Sequence, residues 1–256
     1  MVNDRVFVIV VLYNGIRWID SCFRSLLSSD INLNILAIDN ASTDNSVEYI
    51  KTNFPTVFLV ENKTNYGFGR ANNQGITYAI NNSADYIFLL NQDAKIDNDT
   101  VKNLVEIHKL NPKYGIISPT HLNGKGDSLD TNFSKYIPVN NLCKIKVDSK
   151  FESSIIETSF VNAAAWLLSR DCVVALGGFD PIFSHYGEDR DYCNRSTYHR
   201  FKIGVVPGVY IYHDRIYSKN NPFRKVKSSL LAAGIAHIKN INKPILINYF
   251  SWIFNR

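Results

Sequence analysis

The chain has 256 residues, 45% of them hydrophobic and 20% charged, which excludes a disordered, collagenous or disulfide-stapled protein and leaves one large or two small globular domains with a real core. The longest clean apolar run, Val6 to Leu12, has seven residues, far short of the roughly 18 that a membrane-spanning helix needs. With Asp4 before it and no small-residue cleavage site after it, that run does not read as a signal peptide, and a cytoplasmic location is expected. The net charge of +5 is unevenly placed: residues 1–214 hold 20 of the 28 Lys and Arg and all 23 Asp and Glu, so they carry −3 and the last 42 residues carry +8.

Cys22, Cys143, Cys172 and Cys193 are scattered without a C-x-x-C pair, a pattern of reduced core residues rather than of a zinc site or a disulfide framework. Along the first half, strand and helix signals alternate as βαβ units do, which predicts a largely parallel sheet. Val6 to Leu12 is apolar throughout, as a strand covered on both faces is. After the Asn14-Gly15 turn, Trp18, Cys22 and Leu26, flanked by Ile19, Phe23 and Leu27, form one helical stripe. Ile35 to Ile38 is a second strand, and it ends in Asp39-Asn40-Ala41-Ser42-Thr43-Asp44, a cluster that turns the chain and supplies capping oxygens to the next helix. Val57 to Val60 reads as a third strand. A helix through Ile76, Ala79 and Ile80 follows the Asn65 to Asn73 loop, and Tyr86 to Leu90 is a fourth strand ending at Asn91-Gln92-Asp93. In open α/β sheets ligands bind beyond the carboxyl ends of the strands, so these polar strand ends are expected to meet in one crevice.

From about Thr120 to Thr158 periodicity fades and loops with short strands are expected. Phe160 to Leu168 regains strand character, and Asp171 to Leu176 is a short helix closed by Gly177-Gly178. Glu188-Asp189 opens an acidic helix start, and Val205-Val206 and Val209 to Tyr212 read as strand ending at His213. Oxygen ligands flanking one spacer in Asn91-Gln92-Asp93 suit a hard divalent cation, although three polar residues after a strand also make a plain loop. Gly67 and Gly69 do not complete a dinucleotide fingerprint, because its sixth position falls on Asn72. They read either as a backbone that approaches a ligand or as an ordinary βα turn. Three acids in four residues at Glu188, Asp189 and Asp191 raise one another's pKa, which is useful in a general base. His213 at a strand terminus is a candidate to complete a metal site.

Taken in order, Val10 to Gly15, Ile38 to Asp44, Asn65 to Gly69 with Asn72-Asn73, Leu90 to Asp93, Gly177 to Asp180 and Tyr186 to Asp191 resemble glycosyltransferase family 2. The nearer likeness is to its bacterial rhamnosyltransferase-like members, and it spans about residues 5 to 214. The resemblance implies a GT-A fold, with a mostly parallel central sheet flanked by helices, over residues 1–215. It also implies a nucleotide-diphospho-sugar donor carrying UDP or dTDP, a divalent Mn²⁺ or Mg²⁺, a saccharide acceptor and inversion at the anomeric carbon. By position, Tyr13 and Asn14 border the nucleotide, and Asp39, with Asn40 and Ser42, receives the base. Asn65, Gly67, Phe68, Gly69 and Asn72 belong to the loop that closes over base and ribose. Asn91, Gln92 and Asp93 occupy the metal and diphosphate motif, with Asp93 the direct metal ligand, His213 a second, and Asn91 a weaker amide donor. Asp189 is the base, with Glu188 in reserve, while Trp166 and Arg195 are candidates for acceptor contact.

Residues 216–256 form a basic C-terminal extension outside the resemblance, expected to be helical. Its cations are interleaved with Tyr217, Phe223, Tyr249, Phe250, Trp252 and Phe254. That mixture suits the cytoplasmic face of an anionic membrane better than nucleic acid, and a lipid-linked acceptor for surface polysaccharide synthesis makes such docking useful. Two other readings compete: a catalytically silent nucleotide-sugar-binding scaffold, and a sugar-phosphate nucleotidyltransferase, which would need a Gly-rich basic loop after the first strand that this chain lacks.

Overall fold

The structure, a computed structural model, describes residues 4–137, 154–184, 186–215 and 222–244. Cys143, Tyr217 and the aromatic residues from Tyr249 onward lie outside the described residues.

The first half is built as its periodicity predicts. Strand β1 (Val6–Leu12) is followed by α1 (Ile16–Leu27), β2 (Leu33–Asp39), α2 (Ser46–Asn53), β3 (Phe58–Glu61), α3 (Phe68–Asn81) and β4 (Tyr86–Asn91). These strands pair in parallel in the order β3-β2-β1-β4. Alternate residues of β1 enter opposite cores: Val6, Val8 and Val10 pack with Phe23 and Leu26 of α1 on one face, while Phe7 and Ile9 pack with Ile76 and Ala79 of α3 on the other. Both faces are covered, which is why β1 tolerates no polar residue. On α1 the stripe is Ile19, Cys22, Phe23 and Leu26, whereas Leu27 faces outward.

The second half departs from a largely parallel sheet. After β5 (Ala94–Ile96), α4 (Thr100–Leu110), β6 (Tyr114–Asn123), α5 (Thr131–Tyr136) and β7 (Ile156–Thr158) come β8 (Ala165–Ser169), α6 (Arg170–Leu176), α7 (Glu188–Tyr198) and β9 (Lys202–His213). The sheet continues β4-β8-β6-β9-β5, with β7 also on β9. Strand β8 runs antiparallel to both β4 and β6, and β5 and β7 run antiparallel to β9; only β6 and β9 are parallel. Segment 160–164, expected as strand, is a buried connection into β8. The two apolar runs at Val205 and Val209 are one strand interrupted by Pro207 and Gly208 (φ 79°), where the register against β6 shifts. Proline cannot donate to the ladder, so the chain bulges there and resumes pairing.

Cys22, Cys172 and Cys193 are free and buried, as their spacing predicts. The described part of the basic extension packs on the domain. Helix α8 (Pro222–Ile238) lays Ala232 and Ala236 against the domain, and just beyond it Lys239 pairs with Asp180 and faces Asp191. Among the described residues no helix is long and apolar enough to cross a membrane.

Candidate active site

Parallel pairing aligns Leu12 with Asp39 and Val11 with Asn91, so the carboxyl ends of β1, β2 and β4 share one edge. Asp39 is buried there. Its Oδ2 accepts the Ser42 N–H at 3.0 Å, and its Oδ1 is buried with no hydrogen-bond partner. Such an orphaned acceptor is costly unless a ligand's N–H reaches it. The chain around it is held in left-handed conformations at Asn14 (φ 49°) and Ala41 (φ 64°), and cross-links keep it there. The Asn14 N–H donates to Ser42 Oγ at 2.9 Å, Asn14 Oδ1 accepts from Thr43 N at 2.7 Å, and Asp44 Oδ2 accepts from Ile16 N at 3.1 Å. Gln92 braces β4 to β1 by accepting from Tyr13 N at 3.0 Å and donating to Tyr13 O at 3.1 Å. Residue 15 must be glycine for that brace to fit, since a Cβ there would lie 2.2 Å from the Gln92 amide oxygen.

The loop after β3 is tied to the same edge by Asn40, which donates to Gly67 O at 3.2 Å and accepts from Asn62 Nδ2 at 3.1 Å. Asn65 Oδ1 accepts the Gly67 N–H at 2.8 Å. Gly67 (φ 82°) sits so near residue 184 that a Cβ would meet the Ser184 carbonyl oxygen at 2.4 Å. A Cβ on Gly69 would approach Glu188 Cβ at 3.7 Å. This loop therefore abuts the start of α7. Asn40, Ser42, Asn65 and Gln92 shape the edge through these bonds. Asn72 and Phe68 depart from the expected ligand contact: Asn72 is buried and donates to Phe68 O, and the Phe68 ring meets Phe179 edge-on.

Asp93 follows β4 and faces His213, the last residue of β9, because β5 pairs with β9 at Ala94 and His213. Asp93 Oδ1 lies 3.0 Å from His213 Nε2. The two are hydrogen-bonded to each other, and two ligands at about 2.1 Å on neighbouring corners of an octahedron also stand roughly 3.0 Å apart, so the pair could form one edge of a hard-cation site. His213 Nδ1, buried and without a hydrogen-bond partner, is 4.0 Å from Asp130 Oδ2, the carboxylate that would orient a metal-bound imidazole. Asn91 makes no hydrogen bond or ion pair with Asp93 or His213, and among the described residues no group of three or more His, Cys, Asp or Glu could hold a metal. Of the expected ligands, the structure brings Asp93 and His213 within 3.0 Å of each other.

Asp130 was hidden in the region without periodicity. It is buried, caps α5 by accepting from Asn132 N at 3.0 Å and Phe133 N at 2.8 Å through Oδ1, and accepts Arg215 Nε at 2.7 Å through Oδ2. Arg215 lines a cavity of about 1050 Å³ together with Asp189, Arg190, Lys135, Tyr136 and Phe160. Ala233, Ala236, His237 and Asn240, in and just after α8, form its further wall. Asp93 borders a separate cleft of about 180 Å³ beside Trp18 and Asp214, and Asp39 lines neither. The single crevice expected from the strand ends is thus two spaces joined by a polar chain from Asp93 through His213 and Asp130 to Arg215.

At the start of α7, Tyr186 (φ 66°) and Gly187 (φ 88°) deliver two carboxylates in succession. Burial, and then the neighbouring Asp189 charge, push Glu188 up to about 7, and its Oε2 has no partner. Burial also raises Asp189, which keeps the Arg190 N–H on Oδ1 at 2.8 Å and lines the large cavity. Two expected acceptor residues are structural instead. Trp166 is fully buried, stacked on Phe179 at 6.0 Å, because β8 is covered on both faces. Arg195 is used up by Asp191 (2.8 Å) and by the carbonyls of Leu176 and Gly178 (2.9 Å each). Asp130, Lys135 and Arg215 were missed; an acid two residues ahead of Asn132, just before a short amphipathic run, is a helix-start signal that points to the first of them.

Comparison with known proteins agrees with this layout. The family description "Glycosyl transferase family 2" matches residues 7–173, more than half of the chain. A dTDP-rhamnosyl transferase of Shigella flexneri is 22% identical over 217 residues, covering 82% of this chain and 69% of that protein. An N-acetylglucosaminyl-diphospho-decaprenol L-rhamnosyltransferase of Mycobacterium tuberculosis is 20% identical, covering 84% and 78%. Among solved structures, a mannosyltransferase of Pyrobaculum calidifontis in complex with GDP-Man and Mn²⁺ superposes with a TM-score of 0.69 at 18% identity, covering 98% of this chain and 70% of that one. S. aureus TarS 1–349 in complex with UDP gives 0.63 at 15% identity, covering 95% and 68%. Those structural likenesses establish the GT-A fold, and the family match over the strand ends described above places the chain in glycosyltransferase family 2.

Proposed function

We propose that this chain is an inverting, metal-dependent glycosyltransferase. It moves a hexosyl or deoxyhexosyl unit from a UDP- or dTDP-sugar to a hydroxyl of a saccharide acceptor, lipid-linked, during bacterial surface polysaccharide synthesis. The observation that carries this reading is the polar chain Asp93–His213···Asp130–Arg215, which connects a two-ligand cation edge on the donor side to the cavity that holds Asp189. The close approach of Gly67 to Ser184, ahead of α7, and of Gly69, in the first turn of α3, to Glu188 argues against a silent scaffold, since it sets the acidic helix start beside the segment that would cover the nucleotide.

The free Oδ1 of Asp39 accepts the N3–H of uracil or thymine, while Tyr13, exposed on the same edge, covers the base. Asp93 and His213 would hold Mn²⁺ or Mg²⁺, which would supply positive charge to the diphosphate leaving group. Asp189, its proton affinity raised by burial, takes the acceptor hydroxyl's proton as that oxygen attacks the anomeric carbon from the side opposite the nucleotide. Burial and the neighbouring Asp189 charge favour the neutral form of Glu188, which lessens the repulsion of a negative charge on Asp189. The basic extension, with Leu230 and Leu231 each 60% exposed on α8, supplies cationic and apolar contacts to an anionic membrane face.

A thermal-shift series with UDP, dTDP and GDP, with and without Mn²⁺, tests the donor half. A nucleotide at 100 times its Kd adds about 2.7 kcal/mol of apparent stability, and Asp93→Ala should remove the metal-dependent part of that shift. A shift indifferent to metal in both proteins would overturn the assignment of Asp93.

A further inference from the structure

Resting on the transferase reading above, we infer that Lys239, just beyond α8, is a positioning residue for the base Asp189. It ties Asp180, ahead of α7, to Asp191 within α7, so the start of the C-terminal extension belongs to the catalytic unit. The turn that delivers Glu188 and Asp189 has two successive left-handed residues, Tyr186 (φ 66°) and Gly187 (φ 88°), and no side chain caps α7 at Gly187. A tyrosine in that conformation persists only where its surroundings hold it.

The extension supplies that hold. Lys239 Nζ pairs with Asp180 Oδ2, lies 3.7 Å from Asp191 Oδ1 and stands 5.6 Å from the centroid of the Phe183 ring. The same ring and the Ala232 carbonyl of α8 pack on Gly187, where a Cβ would meet Phe183 Cε1 at 2.9 Å and Ala232 O at 3.0 Å. Further along, Asn242 Nδ2 donates to Asn194 O of α7 at 2.7 Å. Asp191 is buried and its Oδ2 already receives Arg195 Nε at 2.8 Å, so Lys239 is the second cation beside a carboxylate withdrawn from water. With side chains 33% and 28% exposed, Lys239 and Asp180 are screened less than a surface ion pair. Ala233 and Ala236 of α8 line the same cavity as Asp189. Losing the tie therefore loosens the turn and the cavity wall together. The bonds around Asp39 run among Asn14, Ser42 and Thr43, so nucleotide binding is expected to be spared.

The test uses the full chain with Lys239→Met, which keeps the apolar stem and removes the charge, and Lys239→Arg, which keeps the charge. Two readouts are compared: amide hydrogen exchange at the start of α7, where Asp191 N donates to Gly187 O at 2.9 Å, and release of nucleoside diphosphate from UDP- and dTDP-hexoses with a phenyl glycoside as acceptor and Mn²⁺ present. In Lys239→Met, exchange at Asp191 should quicken and kcat should fall, each by at least about tenfold, while the Kd of UDP or dTDP stays where it was. Lys239→Arg should restore most of both, and Asp180→Asn, which removes the other half of the pair, should reproduce the Lys239→Met pattern. Unchanged exchange in Lys239→Met and Asp180→Asn would overturn the tie whether or not sugar is transferred. Faster exchange with an unchanged kcat, or nucleotide binding that weakens in step with kcat, would overturn the positioning role. Faster exchange in a chain that shows no turnover even unmodified would leave the tie standing and refute the enzymatic reading instead.

Discussion

The edge proposed for the donor and the cavity proposed for the acceptor are built on opposite principles. On the proposed donor edge nearly every polar group is answered from within the edge itself: Asn14 bonds Ser42 and Thr43 across two turns, Asp44 accepts from Ile16 N, Gln92 clasps Tyr13, and Asn40 holds Gly67. The conspicuous exception is Asp39 Oδ1. Around the cavity and its connection to Asp93, buried groups are left unanswered instead, among them His121 Nδ1, Glu188 Oε2 and His213 Nδ1. A binding surface gains from rigidity that local hydrogen bonds provide, whereas a proton-transfer site gains from desolvation, which requires distant segments to exclude water.

The contrast breaks most visibly at Asp189. Asp189→Asn keeps the shape and the Arg190 N–H contact but cannot accept the hydroxyl proton, so kcat should fall by about 10²–10⁴, while the thermal shift produced by UDP or dTDP remains. Loss of both would mean that the two regions are not separable. Normal turnover would move the base elsewhere.

Asp130 tests the link between them. Asparagine at this position still caps α5 but removes the negative charge that faces His213 Nδ1 and neutralises Arg215. Loss of a carboxylate behind a metal-binding histidine costs about 10–100-fold in metal affinity, so Mn²⁺ binding read by electron paramagnetic resonance should weaken by that factor in Asp130→Asn. An unchanged Mn²⁺ affinity would show that cation edge and cavity are independent.

The same contrast explains what the sequence made legible. Asp39 and Asn91-Gln92-Asp93 follow apolar strands directly, and Asn65 and Gly67 stand in a polar, glycine-bearing loop between two periodic segments, so pattern reading reaches them although the partners of Asp93 and Gly67 are distant. Glu188-Asp189 stands out because crowded acids are visible in one dimension. Asp130 does not, because its partners Arg215 and His213 are more than 80 residues distant and the segment around it has no period. The basic extension is read by its charge and its aromatic residues, and neither reports that Ala232 and Ala236 on α8 are buried against the domain. Trp166 and Arg195 misled for the opposite reason: proximity in sequence to a motif says nothing about which face of β8 or α7 a side chain takes.

The smallest effect lies at Glu188 and reports desolvation directly. Its folded-state pKa of about 7 stands above the ordinary glutamate value of 4.5, so between those two values the native state binds more protons than the unfolded chain. Stability contributed by the neutral form is therefore lost as pH rises through that window, and above it the buried charge is a standing cost. Glu188→Gln removes the charge without changing the volume. Its melting temperature should exceed that of the unmodified chain at pH 8 by a few degrees, equivalent to about 1–2 kcal/mol, and the difference should close near pH 5. A gap that does not vary with pH would show that water reaches Glu188 in solution and that its carboxyl is not desolvated at the start of α7.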